Sequence, residues 1–191
     1  LMGSEMCIRD RYNICLSHGM SSIVSVLSLL ESEGINRERR DRIIRHTCNY
    51  ILSQEIDHVK YGAFFPSQSL ENNPGDDNHY SRLAWCYGDL GVATSLWQAG
   101  KALHNREWQE KALEVLRFST SRRDFRNAGV IDAGLCHGAA SVCMMFHYAY
   151  RQTGEKLFEE VRDYWFDVTL NIGSRKEGLA GYSAWHMAEY G

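Results

Sequence analysis

Two short stretches of this chain carry side chains that could bind a soft metal ion. The first reads SRLAWCYG over residues 81–88, and the second reads CHG over residues 136–138. Each places a thiol shortly before a glycine and an apolar run suited to a helix. Zn²⁺ commonly takes Cys sulfur and His nitrogen, and three protein ligands leave a fourth position for water or substrate. Cys86, Cys136 and His137 are therefore candidate ligands of an open catalytic zinc site, with a purely structural zinc site as the alternative.

The segments around these motifs alternate between strongly apolar and amphipathic helices. The apolar pattern predicts buried helices, and the amphipathic segments predict outward-facing ones, the first of them with Asn36 as its N-cap. Residues 57–80 are polar, with Pro66 and a PGDDN run, and are predicted to be a loop. The apolar helices are expected over 20–30, 88–102, 138–151 and from 178 onward, and the amphipathic helices over 36–54, 105–122 and 155–171.

A pair of small residues three apart opens each apolar helix, and this recurrence marks an internal repeat of roughly 40–70 residues. The pairs are Gly19 and Ser22, Gly88 and Gly91, Gly138 and Ser141, and Gly178 and Gly181. Alternating buried and amphipathic helices predict an all-α fold in two layers, most simply an α/α toroid with an inner ring wrapped by an outer ring. The glycine turns would then lie at one end of the ring and bring His18 to the three candidate ligands.

Bulk composition excludes several classes of protein. The chain has 191 residues, 24% of them charged and 44% hydrophobic, as in ordinary globular proteins. With a formal net charge of −3, the chain lacks the excess of positive charge typical of proteins that bind nucleic acid. No apolar run reaches the roughly 18 residues of a transmembrane segment. No signal peptide is recognisable. Six cysteines in such a chain favour metal binding or free thiols over a disulfide framework.

The first dozen residues, LMGSEMCIRDRY, fit nothing that follows. We interpret residues 1–12 as a non-native, adapter-derived leader and exclude them, with Cys7, from fold reasoning. Residues 13–191 are then expected to form one partial domain, cut at both ends.

With these motifs in place, the chain resembles the lanthionine synthetase C family, the lanthipeptide cyclases. The resemblance runs from about Asn13 to Gly191, over roughly the C-terminal half of a typical member, and its most specific parts are residues 81–88 and 136–138. It implies a double ring of helices, of which about four of seven inner/outer repeats would be present. It also implies zinc bound by Cys86, Cys136 and His137.

Two departures from the family pattern concern its histidine motif. The family usually continues His-Gly-x-x-Gly, whereas this chain reads HGMSS over residues 18–22. Serine is small enough to replace the second glycine. A functional aspartate that family members carry upstream of this motif is expected to precede the present chain.

The chemistry that the resemblance implies is addition of a cysteine thiolate to the β-carbon of dehydroalanine or dehydrobutyrine. The resulting enolate needs a proton at its α-carbon, hence a positioned acid. His18 is that candidate, or helps to remove the thiol proton; Arg82 could stabilise the enolate oxygen, Tyr87 could orient a group or donate a proton, and Trp85 would line the substrate pocket. The alternatives are a core histidine for His18, a plain salt bridge for Arg82 and simple packing for Tyr87.

The function that follows is a zinc-dependent lanthionine and methyllanthionine synthetase acting on a dehydrated precursor peptide. The implied partners are a dehydratase and an exporter, with a cytoplasmic location that these partners could make peripheral to the membrane. Two alternatives stay open: a relative that adds glutathione to dehydroamino acids, and a non-catalytic zinc-bearing scaffold that binds the peptide. A glycosidase would need paired carboxylates, for which Asp89 and Glu177 offer no matched roles.

The remaining cysteines and a cluster of arginines have structural interpretations. Cys15, Cys48 and Cys143 lie in apolar settings and are expected to be buried small hydrophobic residues. The arginine cluster between Arg37 and Arg45 is expected to be a solvated helix face, with a binding surface for an acidic peptide as the alternative.

Overall fold

A computed structural model of the chain describes residues 12–30, 36–69, 81–173 and 181–182. Within these ranges the protein is helical and contains no sheet. The helices are α1 (Met20–Leu29), α2 (Arg37–Ser53), α3 (His58–Tyr61), α4 (Asp89–Ala102), α5 (Arg106–Ser119), α6 (Phe125–Ala128), α7 (Ala139–Thr153) and α8 (Lys156–Ile172). All six predicted helices within the described ranges are present.

The long helices form three consecutive hairpins. Helix α1 packs against α2, α4 against α5, and α7 against α8, while α4 also contacts both α1 and α7. Helices α1, α4 and α7 therefore make one layer and their partners make the second. Helix α4 occupies the middle of the first layer and is buried along most of its length. This arrangement places the N-termini of α1, α4 and α7 close together.

The outer helices follow their amphipathic patterns. The buried side of α5 is the predicted one: Trp108, Ala112, Val115, Leu116 and Ser119. Burial of each large apolar side chain contributes about 1.5–3 kcal/mol. Asn36 caps α2 as predicted, because its side chain accepts a hydrogen bond from the N–H of Arg39 at 3.0 Å. On α8 the buried residues are Phe158, Val161 and Trp165, whereas Leu157 and Tyr164 of the predicted face are partly exposed.

Two short helices, α3 and α6, lie outside the predicted helices. Helix α3 falls in the segment predicted to be a loop. Asp57 and Asp124 precede α3 and α6, and each side chain accepts hydrogen bonds from two backbone N–H groups of the following turn. Gly62 and Gly129 end these turns in the left-handed conformation, at φ 71° and 66°. Hydrogen bonds from the capping residues thus stabilise α3 and α6, which are too short to show helical periodicity in the sequence.

Two predictions about burial are corrected. Helix α1 was expected to be buried throughout, but Ile23, Val26 and Leu29 are 51%, 55% and 69% exposed, because α1 packs against α2 and α4 along one side. The arginine cluster of α2 was expected to be a solvated helix face. Arg37, Arg39, Arg42 and Arg45 are exposed, as expected, whereas Arg40 is buried and its guanidinium pairs with Asp41 at 2.7 Å.

Some predictions concern residues outside the described ranges. Residues 1–11 of the proposed leader and the helix expected from 178 are among them. Tyr12, at the end of that proposed leader, exchanges two hydrogen bonds with Ser69, at 2.7 and 2.9 Å. Each helix in the described part of the chain is too short or too polar to span a lipid bilayer.

Candidate metal centre

Three loops of the same length lead into α1, α4 and α7. We call them the first, second and third cap loops, and they comprise residues 13–19, 82–88 and 132–138. Each ends in the glycine that forms the helix N-cap: Gly19, Gly88 and Gly138. The repeat seen in the sequence is therefore a repeat of loop structure as well as of helices.

Asn13 and Asp132 shape the first and third cap loops in the same way. The carbonyl oxygen of each accepts a hydrogen bond from the N–H seven residues later, the first of the helix, at 2.9 and 2.8 Å. The side-chain oxygen of each accepts from the N–H two residues later, again at 2.9 and 2.8 Å. This pairing of backbone and side-chain bonds holds both loops in one conformation.

The cap glycines are required by close backbone approach. A Cβ atom at Gly88 would lie 2.5 Å from the carbonyl oxygen of Arg82, and one at Gly138 would lie 2.6 Å from that of Asp132. Gly88 also has a φ of 77°, which disfavours other residues. These loops can therefore fold back on themselves only with glycine at the cap.

A ladder of backbone hydrogen bonds joins the three cap loops. Ser17, Cys86 and Cys136 each lie two residues before a cap glycine. The N–H of Ser17 donates to the carbonyl oxygen of Cys86 at 3.4 Å, and the N–H of Cys86 donates to that of Cys136 at 3.4 Å. The hydroxyl of Ser17 also donates to the Cys86 carbonyl at 3.4 Å. The two thiol-bearing residues are thus directly hydrogen-bonded neighbours in this ladder.

A buried serine adds a second connection between the thiol-bearing loops. Ser141, in the first turn of α7, is fully buried. Its hydroxyl oxygen accepts a hydrogen bond from the N–H of Trp85 at 2.8 Å and donates to the carbonyl oxygen of Cys136 at 3.1 Å. Ser141 therefore bridges the residue before one thiol to the backbone of the other.

Cys86, Cys136 and His137 converge as predicted. Their sulfur and ring-nitrogen atoms all lie within 4.8 Å of one another. Two thiols and an imidazole form a donor set suited to soft or borderline divalent cations, so these residues fit a metal ion. Cys86 is buried, His137 is half-buried and Cys136 is exposed, so the group opens to solvent on one side.

Burial dominates the ionisation of Cys86. Burial, the hydrogen bond with Cys136 and the charge of Cys136 together raise the pKa of this thiol to about 12, against the lowering effect of the nearby Arg82 cation. Burial likewise raises the pKa of Tyr87, while a hydrogen bond with the Asn13 side chain lowers it. The charges of Cys86 and Cys136 also act on Tyr87, so Arg82 and Tyr87 both lie near the thiols.

His18 occupies the position in the first cap loop that His137 occupies in the third. It is exposed, and its backbone N–H donates to the sulfur of Cys15 at 3.3 Å. His18 is not among the three side chains that converge. As expected, Cys15 and Cys48 are buried, whereas Cys143 is only partly buried.

Sequence reasoning missed a buried ion pair that fixes the second cap loop. Asp89, the first residue of α4, accepts hydrogen bonds from the N–H groups of Phe64 and Phe65, at 3.0 and 2.9 Å. Its carboxylate lies 3.5 Å from the Arg122 guanidinium, which also donates to the Ser81 carbonyl. Burial raises the pKa of Asp89 to about 6, against the lowering effects of Arg122 and the two N–H groups. The only sequence signal was an acid at the start of an apolar helix.

A protein-family model matches most of this chain. The model of lanthionine synthetase C-like proteins matches residues 5–179. The chain belongs to the lanthionine synthetase C-like family. This membership confirms the resemblance carried by residues 81–88 and 136–138.

Two relatives of this LanC-like chain show how much of a family member it spans. It is 23% identical over 150 residues to the nisin biosynthesis protein NisC of Lactococcus lactis subsp. lactis, an alignment that covers 75% of this chain and 35% of NisC. A solved structure of nisin cyclase superimposes with a TM-score of 0.70 at 21% identity, covering 84% of this chain and 40% of that one. The superposition establishes a shared fold over that part.

Proposed function

We propose that this LanC-like chain is the zinc-bearing part of a lanthionine and methyllanthionine synthetase that acts on a dehydrated precursor peptide. The observation that carries the proposal is the convergence of Cys86, Cys136 and His137 within 4.8 Å. Three ligands with one accessible side leave a position for a substrate thiol. The shared fold with nisin cyclase supports reading the three hairpins as consecutive repeats of an α/α toroid, with about four of seven repeats in the whole chain.

Zinc held by these three residues would lower the pKa of a bound thiol and so supply a nucleophile at neutral pH. The protein's own side chains then serve the proton transfers. His18 lies on the loop that adjoins the second cap loop through the backbone ladder. In the proposed reaction His18 takes the proton from the substrate thiol or returns one to the α-carbon after addition.

Arg82 and Tyr87 flank Cys86 in the second cap loop. The Arg82 cation, close enough to lower the pKa of Cys86, would stabilise negative charge on the enolate oxygen. The Tyr87 hydroxyl, held by Asn13, would orient the carbonyl of the dehydroamino acid or donate a proton. The Trp85 side chain would line the substrate pocket. A dehydratase that prepares the peptide and an exporter that removes it are the proposed partners.

The direct test is thioether formation by the zinc-loaded protein. The substrate is a peptide with one dehydroalanine and one cysteine, incubated alongside a protein-free control at the same pH. We expect the free thiol to disappear, as measured by iodoacetamide alkylation, without any change in peptide mass. The Cys136→Ser variant should give the protein-free rate. A protein that binds zinc and peptide but leaves the thiol open to alkylation would be a scaffold and would contradict the proposal.

A further inference from the structure

The two thiols of the candidate metal centre lie close enough to react with each other. The sulfur atoms of Cys86 and Cys136 are within 4.8 Å, and the two thiols are hydrogen-bonded. A disulfide needs its sulfur atoms about 2.0 Å apart, and rotation of a side chain to another staggered rotamer brings them closer. The main chains already lie side by side, because the N–H of Cys86 donates to the Cys136 carbonyl oxygen. Closure of the gap therefore requires rotation of side chains on adjacent main chains.

The two thiols differ in their access to solvent. Cys136 is exposed, whereas Cys86 is only 2% exposed. An oxidant in solution therefore meets the Cys136 sulfur first, with the Cys86 sulfur next to it. Cysteines that respond to oxidants are typically accessible and lie beside a second cysteine that completes the disulfide. Cys136 and Cys86 fit these two roles.

The other three described cysteines have different neighbours. The Cys15 sulfur is buried and accepts a hydrogen bond from the N–H of His18, within its own cap loop. Cys48 is buried on α2. Cys143 lies on α7 near Arg162 of α8. Within the described ranges, a disulfide between the second and third cap loops is therefore the one that the contacts favour.

We propose that Cys86 and Cys136 are a modification site, at which a peroxide converts the two thiols of the metal-free protein into a reversible disulfide. This inference goes beyond the proposed function, because it depends on the convergence of the thiols and not on a peptide substrate. Zinc takes cysteine as the thiolate, and a disulfide contains none. His137 would then be the only ligand left of the three, so oxidation and zinc binding exclude each other.

The oxidation proceeds in two balanced steps. The Cys136 sulfur attacks one oxygen of hydrogen peroxide, the O–O bond breaks, and the departing hydroxide takes the thiol proton to give water and a sulfenic acid. The Cys86 sulfur then attacks the Cys136 sulfur. The S–S bond forms, the S–O bond breaks, and the second hydroxide takes the Cys86 proton. Two thiols are oxidised to one disulfide, and one peroxide is reduced to two molecules of water.

The first experiment treats the reduced, metal-free 191-residue chain with one equivalent of hydrogen peroxide. The Cys143→Ser variant is used, because trypsin then leaves each cysteine on its own peptide. Residues 83–101 carry Cys86, and residues 127–151 carry Cys136. Mass spectrometry of the unreduced digest should find these two peptides joined, with the mass of two hydrogen atoms lost, and dithiothreitol should separate them.

Three outcomes of this experiment would overturn the inference. A link from Cys86 to residues 12–37 would make Cys15 its partner; the Cys15 charge also acts on Tyr87. A disulfide between two chains, seen as a dimer in unreduced electrophoresis, would place the reacting thiols in different molecules. A stable sulfinic acid at Cys136 without any link would show that the Cys86 sulfur does not reach it.

Matched variants in the Cys143→Ser background assign the two roles. Cys136→Ser should keep its remaining thiols, counted by iodoacetamide alkylation after unfolding, because the exposed sulfur is gone. Cys86→Ser should still react at Cys136 but stop at the sulfenic acid, which dimedone traps. The Cys143→Ser chain itself is the control and should lose two thiols. Equal thiol loss in this control and in Cys136→Ser would contradict the assignment.

Zinc should protect the pair. With free zinc at about 100 times its Kd, about 1% of the chains are metal-free, so the linked peptides should form about 100-fold more slowly. The oxidised chain should take up no zinc until dithiothreitol has reduced it, as measured with a chelating dye. A zinc-loaded chain that forms the disulfide at the metal-free rate would overturn the competition, as would an oxidised chain with undiminished zinc affinity.

These measurements can fail independently of the proposed function. A chain that binds zinc and forms the disulfide, but leaves a dehydroalanine peptide unreacted, would refute the synthetase and keep the modification site. A chain that forms thioethers but gives no linked peptides after peroxide would refute the modification site and keep the synthetase.

Discussion

The backbone N–H of Cys86 donates to the carbonyl oxygen of Cys136, at 3.4 Å. This bond ties together two residues that are 50 positions apart in the chain. Because it involves only main-chain atoms, it sets the separation of the two thiols without any metal ion. Preorganisation of this kind lowers the cost of assembling a coordination sphere.

Metal content follows directly from this geometry. We expect about one zinc per chain in the purified protein and loss of bound zinc in Cys136→Ser, because two ligands do not hold Zn²⁺ tightly. The control is Cys143→Ser, which removes a partly buried thiol on α7 outside the cluster. Elemental analysis of dialysed protein measures both. Equal zinc loss in the two variants would show that the cluster is not the site.

Ser141→Ala should weaken zinc binding while leaving the ligands in place. The hydroxyl bridges the Trp85 N–H and the Cys136 carbonyl, so its loss loosens the thiol-bearing loops and leaves a buried N–H unpaired. We expect about a tenfold rise in Kd, within the range for residues that orient metal ligands, measured by competition with a chelating dye. Ser119→Ala is the control, because that buried hydroxyl on α5 forms no hydrogen bond with any residue that the structure describes. Its Kd should not change.

Zinc affinity should increase with pH. Burial raises the pKa of Cys86 to about 12, so its thiol is protonated in the metal-free protein at neutral pH and must release that proton to bind zinc. For this one proton, the apparent Kd falls about tenfold for each unit of rising pH. Proton release on adding zinc to a weakly buffered solution measures the effect. A pH-independent Kd between pH 6 and 8 would contradict it.

His18→Asn should slow thioether formation by about 100-fold or more, as expected when a general acid or base is removed, with zinc content unchanged. His46→Asn, an exposed histidine on α2, is the control and should keep the wild-type rate. Initial rates of thiol loss from the dehydroalanine peptide give the comparison. An undiminished rate in His18→Asn would remove this residue from the proposed mechanism.

Arg122→Leu should destabilise the fold. The substitution leaves the Asp89 carboxylate buried without its counter-ion, and breaking a buried pair from one side costs about 3–5 kcal/mol. Urea unfolding followed by circular dichroism measures the change. Arg126→Leu, an exposed residue on α6, should stay within about 0.5 kcal/mol of the unsubstituted chain. Similar values for the two variants would mean that the ion pair contributes little.

The features that could be predicted from the sequence are those that depend on local or repeated patterns of residues. Apolar and amphipathic periodicity located the six long helices, and Asn36 marked a cap because its side chain acts within its own turn. The glycine-centred repeat placed Cys86, Cys136 and His137 together, because equivalent loops of adjacent repeats must lie side by side. Those inferences needed no knowledge of any particular long-range contact.

What the sequence did not reveal depends on contacts between distant residues. Ser141 has the same local pattern as any small residue near a helix start, and its bridging role exists only because Trp85 lies opposite it. The Asp89–Arg122 pair joins residues 33 positions apart. The exposure of one side of α1 could not be predicted from the sequence either. An apolar run shows that a helix is hydrophobic, but not which neighbouring helices are present to cover it.

Ser17 shows that the backbone ladder does not depend on which side chain each loop carries. Ser17 is hydrogen-bonded to Cys86 and lies two residues before the cap glycine of the first cap loop. At the equivalent position, the second and third cap loops carry cysteine. Serine and cysteine differ by one atom and can interconvert by a single base change. The bonds that join the cap loops at these positions are formed by main-chain atoms, so the bonding pattern is the same whether the side chain is serine or cysteine. The number of sulfur donors is therefore set by the side chains at these positions and not by the path of the main chain.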